Sequence, residues 1–419
     1  MNERKPRASL KEFETAGSLP TLVSAFLYFT THFMTWVLVG ALGVFIANEF
    51  DLSASQKGLM VAIPILAGSL LRIPVGILVD RIGAKRMAIS LQILVLAPLL
   101  GGWLFADSLT RVMVVGLLLG FAGASFPVAI PLASRWYPPE YQGLANGITG
   151  AGNIGTVLAA LAAPRLAEVV GWRQVFGLGL LPVLLVLAVT LWLAQESPKR
   201  PIPKRWGEYL AVLQEGDCWW FNLFYGITFG GFVGLASFLV IFFHDQYGLS
   251  KVMAGNAAAL CVLAGSLFRP VGGYLADRLG GLQMLPLLFG AIGLLAAGVG
   301  LLPPLPAATA LLFLAMAAMG LGNGALFQVI PQRFRDEIGV ATGIVGAAGG
   351  MAGFFLPLLL GLLKDTTGSY GSGLLLFALA ALAALVGLRA LRPGWQASWL
   401  QPTLLPEQIP NPHAIKLRR

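Results

Sequence analysis

Arg72 and Arg269 stand inside stretches that otherwise suit a membrane interior, "LAGSLLRIPVGILVDRIGAKR" (66–86) and "LAGSLFRPVGGYLADRLGG" (263–281). A guanidinium stays charged and presents a planar fork of donors suited to bidentate oxyanion binding. Each arginine lies eight residues before an aspartate, Asp80 or Asp277, that ends the apolar run. At 1.5 Å per helical residue this is roughly 12 Å of depth, near the midplane of a ~30 Å hydrocarbon core. An arginine facing lipid there costs about 2.5–3.5 kcal/mol on the mildest scale. Both side chains are therefore expected to face an aqueous cavity. The chain has 19 Asp and Glu, and every one falls in a loop, a tail or a helix end. With no interior carboxylate to pair them, the expected counter-ion is a ligand: a small anion held by two forks.

Around each arginine the residues are small. Gly68 and Gly76 share a helix face with Arg72, and Gly265 and Gly273 share one with Arg269. Such residues open space for a ligand or for a neighbouring helix, and Pro74 and Pro270 are expected to bend their helices. A glycine-rich run, "GLANGITGAGNIGTV", carries the amide Asn153 in an apolar setting. The one titratable group expected in the interior is His32, and its simplest role is a neutral, hydrogen-bonded histidine.

These residues need a membrane scaffold, and the composition supplies one. The chain has 419 residues, 57% hydrophobic and only 11% charged; soluble domains carry about 25% charged residues. Twelve apolar stretches are expected to span a bilayer as helices: 21–46, 58–79, 87–106, 110–134, 143–166, 174–194, 219–243, 252–276, 282–302, 308–330, 339–363 and 370–391. With both termini cytoplasmic, 20 of the 28 Lys and Arg fall in inside segments, which satisfies the positive-inside rule. The net charge of +9 thus reports topology and not nucleic-acid binding. Cys218 and Cys261 are not expected to pair, and no metal-ligand spacing occurs.

The chain repeats itself. Between 66–83 and 263–280, eleven of eighteen residues are identical. "LSASQKG" answers "LSKVMAG", and "GLANGITGA" answers "GVATGIVGA". Six expected spans separate the copies, so both have the same orientation, as in transporters built from parallel repeats that bind substrate between them. The expected organisation is a cytoplasmic tail (1–20), a six-helix bundle (21–196), a cytoplasmic linker (197–218), a second six-helix bundle (219–392) and a cytoplasmic tail (393–419).

"GILVDRIGAKR" matches the loop signature of the major facilitator superfamily through Gly76, Asp80, Arg81, Gly83, Lys85 and Arg86. The second copy keeps Asp277 and Arg278 and loses the basic end. A tight turn is its physical sense: Gly83 admits positive φ, and Asp80 is placed to pair with cations of neighbouring helix ends. The stretch 120–155 and "GIVGAAGGMAGFFLP" (343–357) further resemble the nitrate/nitrite porter family. The resemblance covers the whole chain. It implies an all-α membrane protein with the major facilitator fold, two pseudo-symmetric six-helix bundles.

It also implies a site. Arg72 and Arg269 match the family's substrate arginines, Asn153 its helix-5 asparagine, and Tyr225 and Phe229 its helix-7 aromatics. Phe126 and Phe327 match the phenylalanines of helices 4 and 10. Phe33 is the expected match in helix 1, where the register is loose and Phe29 could serve. The chain departs from the glycine-rich pattern at Thr149. Gly147, Gly150, Gly152, Gly343 and Gly346 are expected to let helices 5 and 11 slide during a conformational switch. The chemistry coheres: nitrate and nitrite are flat monoanions and weak acceptors, suited to two forks, an amide, a phenol and a thin aromatic slot.

The expected function is nitrate/nitrite antiport across a bacterial cytoplasmic membrane. The alternatives are nitrate/proton symport with His32 as proton carrier, or carriage of another small anion. An enzyme is not expected, since no nucleophile–base pair or metal cluster is legible; nor is a sensor, since no loop could hold a signalling domain. No cofactor is implied. Expected partners are the anions and membrane lipid, with no nucleic acid and the chain as a monomer.

Overall fold

The computed structural model describes residues 10–197, 206–334 and 338–399. The tail 1–9, residues 198–205 of the expected linker, 335–337 with Arg335, and the tail 400–419 lie outside the described residues. Short helix α1 (Leu10–Ala16) precedes the first expected span. That span is three consecutive helices, α2 (Leu19–Trp36), α3 (Leu38–Ala41) and α4 (Gly43–Glu49). Then come α5 (Ala54–Ile82), α6 (Ala84–Leu104), α7 (Leu109–Gly123) and α8 (Phe126–Ser134). The fifth span is α9 (Pro139–Gly150), a 3-10 turn (Ala151–Ile154) and α10 (Gly155–Val170); α11 (Trp172–Leu193) ends the first bundle. Helix α12 (Trp206–Gln214) falls within the expected linker. The seventh span is α13 (Gly216–Tyr225), a π turn (Gly226–Gly230) and α14 (Gly231–Tyr247). The chain continues through α15 (Lys251–Leu279), α16 (Gly281–Gly300), α17 (Leu305–Arg333), α18 (Ile338–Thr367) and α19 (Gly371–Ser398).

Among the described residues, eleven helical stretches are long and apolar enough to cross a membrane. The twelfth expected span, the first in the chain, is not among them; its helix is interrupted at Val37 and Leu42. Thr30, Thr31 and Thr35 donate back to the carbonyls of Phe26, Leu27 and Thr31, four residues earlier. Such bonds compete with the helical ladder and bend helices. The fourth span breaks where Pro127 follows Gly123 by four residues. Proline lacks an N–H, and its ring clashes with the carbonyl four residues back.

At the turns after α5 and α15, Gly83 and Gly280 adopt φ of 102° and 86°, which side chains other than glycine rarely accept. Asp80 accepts from Arg135 at 2.5 Å, and the Glu196 carboxylate accepts from the N–H groups of Ala84 (2.8 Å) and Lys85 (3.1 Å) at the start of α6. This is the motif end. Asp277, the repeat partner of Asp80, is exposed and has no ion-pair partner among the described residues.

The halves close on each other at the opposite, far end. There α5 packs on α18, α10 on α15, and α3 and α4 on α14. A Cβ on Gly58 would lie 2.4 Å from the Pro357 carbonyl oxygen, and one on Gly255 2.5 Å from that of Ala160. Polar contacts also cross the seam. Asp365 accepts from the N–H groups of Ala54 (3.1 Å) and Ser55 (2.8 Å), a carboxylate at the positive end of α5. Lys57 pairs with Asp245 at 2.7 Å, and Arg165 donates to Asn256 at 2.6 Å. A half-buried pair of this kind stabilises by about 1 kcal/mol. Lys57→Met or Asp365→Asn is expected to raise the far-end-open population severalfold. Spin labels at the exposed positions Glu168 and Thr366, in a chain without its native cysteines, would report it as a longer-distance population; an unchanged distribution would contradict the latch.

Candidate functional site

Between the halves, a cavity of about 150 Å³ runs from Arg72 towards the motif end, past Gly76, Phe126 and Ile130 to Asp80 and Arg135. Gly343 and Gly346 of α18 form its other wall. Gly147 and Gly150 of α9 likewise have nothing within 4 Å of where a Cβ would sit. Gly152 differs from the other expected switch glycines: its Cβ would meet Phe29 at 2.8 Å, so it packs the 3-10 turn against α2. The arginine-flanking glycines divide in the same way. Gly68 lies against Trp36 and Gly265 against Phe232, whereas Gly76 borders the cavity and Gly273 has no neighbour within 4 Å.

Arg72 is 2% exposed. Its Nε donates to the Gly123 carbonyl at 3.1 Å, and Nη1 donates to the Gly346 carbonyl at 2.7 Å. Its Nη2 has no partner among the described residues. One arginine thus bridges the halves through backbone oxygens and keeps one nitrogen unmet. Arg269 is 9% exposed, faces the Tyr225 hydroxyl, and has an unmet Nη1. The two guanidinium groups share two rings. Arg72 Cζ lies 5.9 Å from the Phe126 centroid and 4.9 Å from that of Phe229; Arg269 Cζ lies 5.4 Å and 5.9 Å from the same rings. Neither arginine has a carboxylate within ion-pair distance among the described residues.

Aromatic rings close the site. Tyr225 stacks on Phe229 at 5.0 Å with planes 3° apart, and meets Phe327 edge-on at 5.1 Å. Phe327 meets Phe126 edge-on at 5.8 Å. Tyr225 and Phe229, four residues apart, share one face of the seventh span, and Phe229 lies within the π turn; such bulges recur at functional sites. Of the two helix-1 candidates, Phe29 is the one that meets Phe126, at 5.9 Å. Phe33 is one ring further back, between Phe29 and Trp36. Asn153 is fully buried on the 3-10 turn, next to α2 and α15, and neither its amide nitrogen nor its oxygen has a partner.

Trp36 and the Gly123 carbonyl were not legible as groups that touch Arg72. Asn323 is 1% exposed, has an unmet oxygen and lies one turn before Phe327. The signal for Gly123 was present: Pro127 withholds the N–H that would have used its carbonyl. The cavity is lined by Arg72 and Phe126 of the expected site residues but not by Arg269, Tyr225, Phe229, Phe327, Asn153, Phe33 or His32. The His32 Nδ1 donates to the Tyr28 carbonyl at 2.8 Å, within its own helix, and its Nε2 has no partner.

Residues 24–357 match the family description "Major Facilitator Superfamily". The chain is 36% identical over 355 residues to the "Nitrite extrusion protein" of Bacillus subtilis, covering 84% of this chain and 89% of that one. It is 34% identical over 378 residues to the "Probable nitrate/nitrite transporter NarK2" of Mycobacterium tuberculosis, covering 88% and 95%. The chain belongs to the nitrate/nitrite porter family of the major facilitator superfamily. Membership places it among multi-pass membrane transporters rather than enzymes. The "Probable nitrate/nitrite antiporter NarK1" of Thermus thermophilus is 35% identical over 412 residues, covering 89% of this chain and 92% of that one. Among solved structures, the inward-facing, occupied bacterial homologue of the human lysosomal transporter Spinster superposes with a TM-score of 0.65. At 22% identity, over 90% of this chain and 97% of that one, it shares the fold alone.

Proposed function

We propose that the chain exchanges nitrate for nitrite across the cytoplasmic membrane, with the anion held between Arg72 and Arg269. The observation that carries this reading is the pair of unmet guanidinium nitrogens, one from each half, over the shared rings of Phe126 and Phe229. The names of the relatives support the same substrates. Two forks supply charge, while Tyr225 and Asn153 supply weaker directional donors. The stacked and edge-on rings favour a flat ion over a tetrahedral one. By the positive-inside count the motif end is cytoplasmic, so this conformation faces inward.

Arg72 links binding to closure. In this conformation Nη1 is engaged by the Gly346 carbonyl of α18. An arriving oxyanion competes for that nitrogen as a charged acceptor, and charged acceptors bind it more strongly than a carbonyl does. Helix α18 is then released to close against the first half, with Gly147, Gly150, Gly343 and Gly346 allowing the approach. In this state Gly147→Ala and Gly343→Ala meet no atom within 4 Å. In the closed state the added methyl overpacks a seam at about 1–3 kcal/mol. These variants are expected to slow exchange about tenfold with half-saturation little changed; weakened affinity at normal turnover would make them site-shaping residues.

The whole reading is tested by labelled-nitrate uptake into proteoliposomes. Competition by nitrite and not by sulfate supports it, and equal competition by sulfate contradicts it. Proton symport through His32 is the competing reading, and its one supporting observation is the unmet Nε2. Against it stands the engagement of the His32 Nδ1 by the Tyr28 carbonyl within its own helix.

A further inference from the structure

We infer that Trp36 is a positioning residue that sets the Arg72 guanidinium for the anion, an inference that rests on the anion reading above. Trp36 ends α2, where the first span breaks, and is 1% exposed. Its Nε1–H donates to the Pro64 carbonyl at 2.7 Å, two turns before Arg72 on α5. The indole fills a wedge that two glycines leave open. A Cβ on Gly68 would lie 2.8 Å from Nε1, and one on Gly123 2.4 Å from the same atom. Gly123 is the residue whose carbonyl receives Arg72 Nε. The indole itself lies 5.4 Å from Arg72 Cζ. One ring therefore fixes the height of α5, the position of the backbone acceptor and one face of the guanidinium.

The second half shows what happens without it. Gly265, the repeat partner of Gly68, has its wedge filled by Phe232, whose ring would lie 2.5 Å from an added Cβ. Phenylalanine has no N–H to tie the neighbouring helix, and Arg269 lies over Phe126, Phe229 and Phe327, not over Phe232. Arg72 is held by two carbonyls, while Arg269 faces a phenol and has no backbone acceptor among the described residues. The two arginines are thus unequal. Arg72 is the pre-organised anchor, and pre-organisation raises affinity by removing the ordering cost at binding. Arg269, in the other half, completes the clamp.

The test compares nitrate counterflow by the full-length protein and by Trp36→Phe, which installs the second half's solution in the first. Loss of one buried hydrogen bond that orders the site predicts a half-saturation constant raised about five- to tenfold. The maximum rate should stay within about twofold. A purely structural Trp36 would instead lower the maximum rate and the folded yield with half-saturation unchanged, which would overturn the inference. If the phenylalanine variant does not fold, an isosteric tryptophan analogue at 36 with sulfur replacing the indole N–H decides. It should raise half-saturation about threefold or more, and wild-type half-saturation there overturns the inference. Arg72→Lys is measured alongside. Normal affinity in that variant defeats the anion reading itself. Lost affinity there, with wild-type half-saturation in both position-36 variants, defeats only the role of Trp36.

Discussion

Lysine at position 72 or at position 269 will lower nitrate affinity by roughly 10- to 100-fold while leaving the protein folded. The charge survives, but the fork does not. Hydrogen bonds to charged groups contribute about 1.5–3 kcal/mol, and each 1.4 kcal/mol is a factor of ten. At Arg72 the substitution also removes the bonds to the Gly123 and Gly346 carbonyls, so that variant should lose coupling to α18 as well as affinity. At Arg269 no such bridge exists, and the loss should fall on binding. Saturation curves for labelled nitrate in proteoliposomes check both. Near-normal half-saturation in both variants would remove the arginines from the site.

Uptake of nitrate into liposomes that contain no exchangeable anion will be about 100-fold slower than uptake into nitrite-loaded ones. The reason is electrostatic. With the anion gone, the site holds two guanidinium charges and, among the described residues, no carboxylate near them. Closing the halves over uncompensated charge costs several kcal/mol, and about 2.7 kcal/mol already gives the hundredfold. The empty carrier is further held by the bond from Arg72 to Gly346, which no ligand has displaced. Imposing an inward proton gradient on the unloaded liposomes should not restore the rate. Robust gradient-driven uptake that disappears in His32→Ala would establish symport in place of exchange.

The arginine pair was legible because the chain states it twice, in two stretches with eleven of eighteen residues in common. An isolated buried arginine could have been an anchor at the membrane surface; a duplicated one with no interior acid could not. The gathering of Tyr225, Phe229, Phe126 and Phe327 around it followed from the resemblance and not from spacing. Other features were hidden for identifiable reasons. The first span reads as one apolar run, and hydrophobicity does not register the interruptions at Val37 and Leu42. Phe33 and Phe29 lie one turn apart, and only the packed rings distinguish them. The carbonyls that hold Arg72 have no letter in the sequence; Pro127 was the trace of one of them, while Gly346 lies inside a regular helix. The far-end latch joins Ser55 to Asp365 across 310 positions, a distance at which a loop aspartate looks like any other.

The central claim is that one anion is held jointly by Arg72 and Arg269. Equilibrium binding of labelled nitrate to the purified protein tests it most directly, with wild type, Arg72→Lys, Arg269→Lys and the double variant compared in one cycle. Two groups on the same ion are coupled, and coupled pairs depart from additivity by about 0.5–3 kcal/mol. The account predicts that each single variant loses most of the affinity and that the double variant loses little more. Strictly additive losses, or a single variant that binds as wild type does, would contradict it.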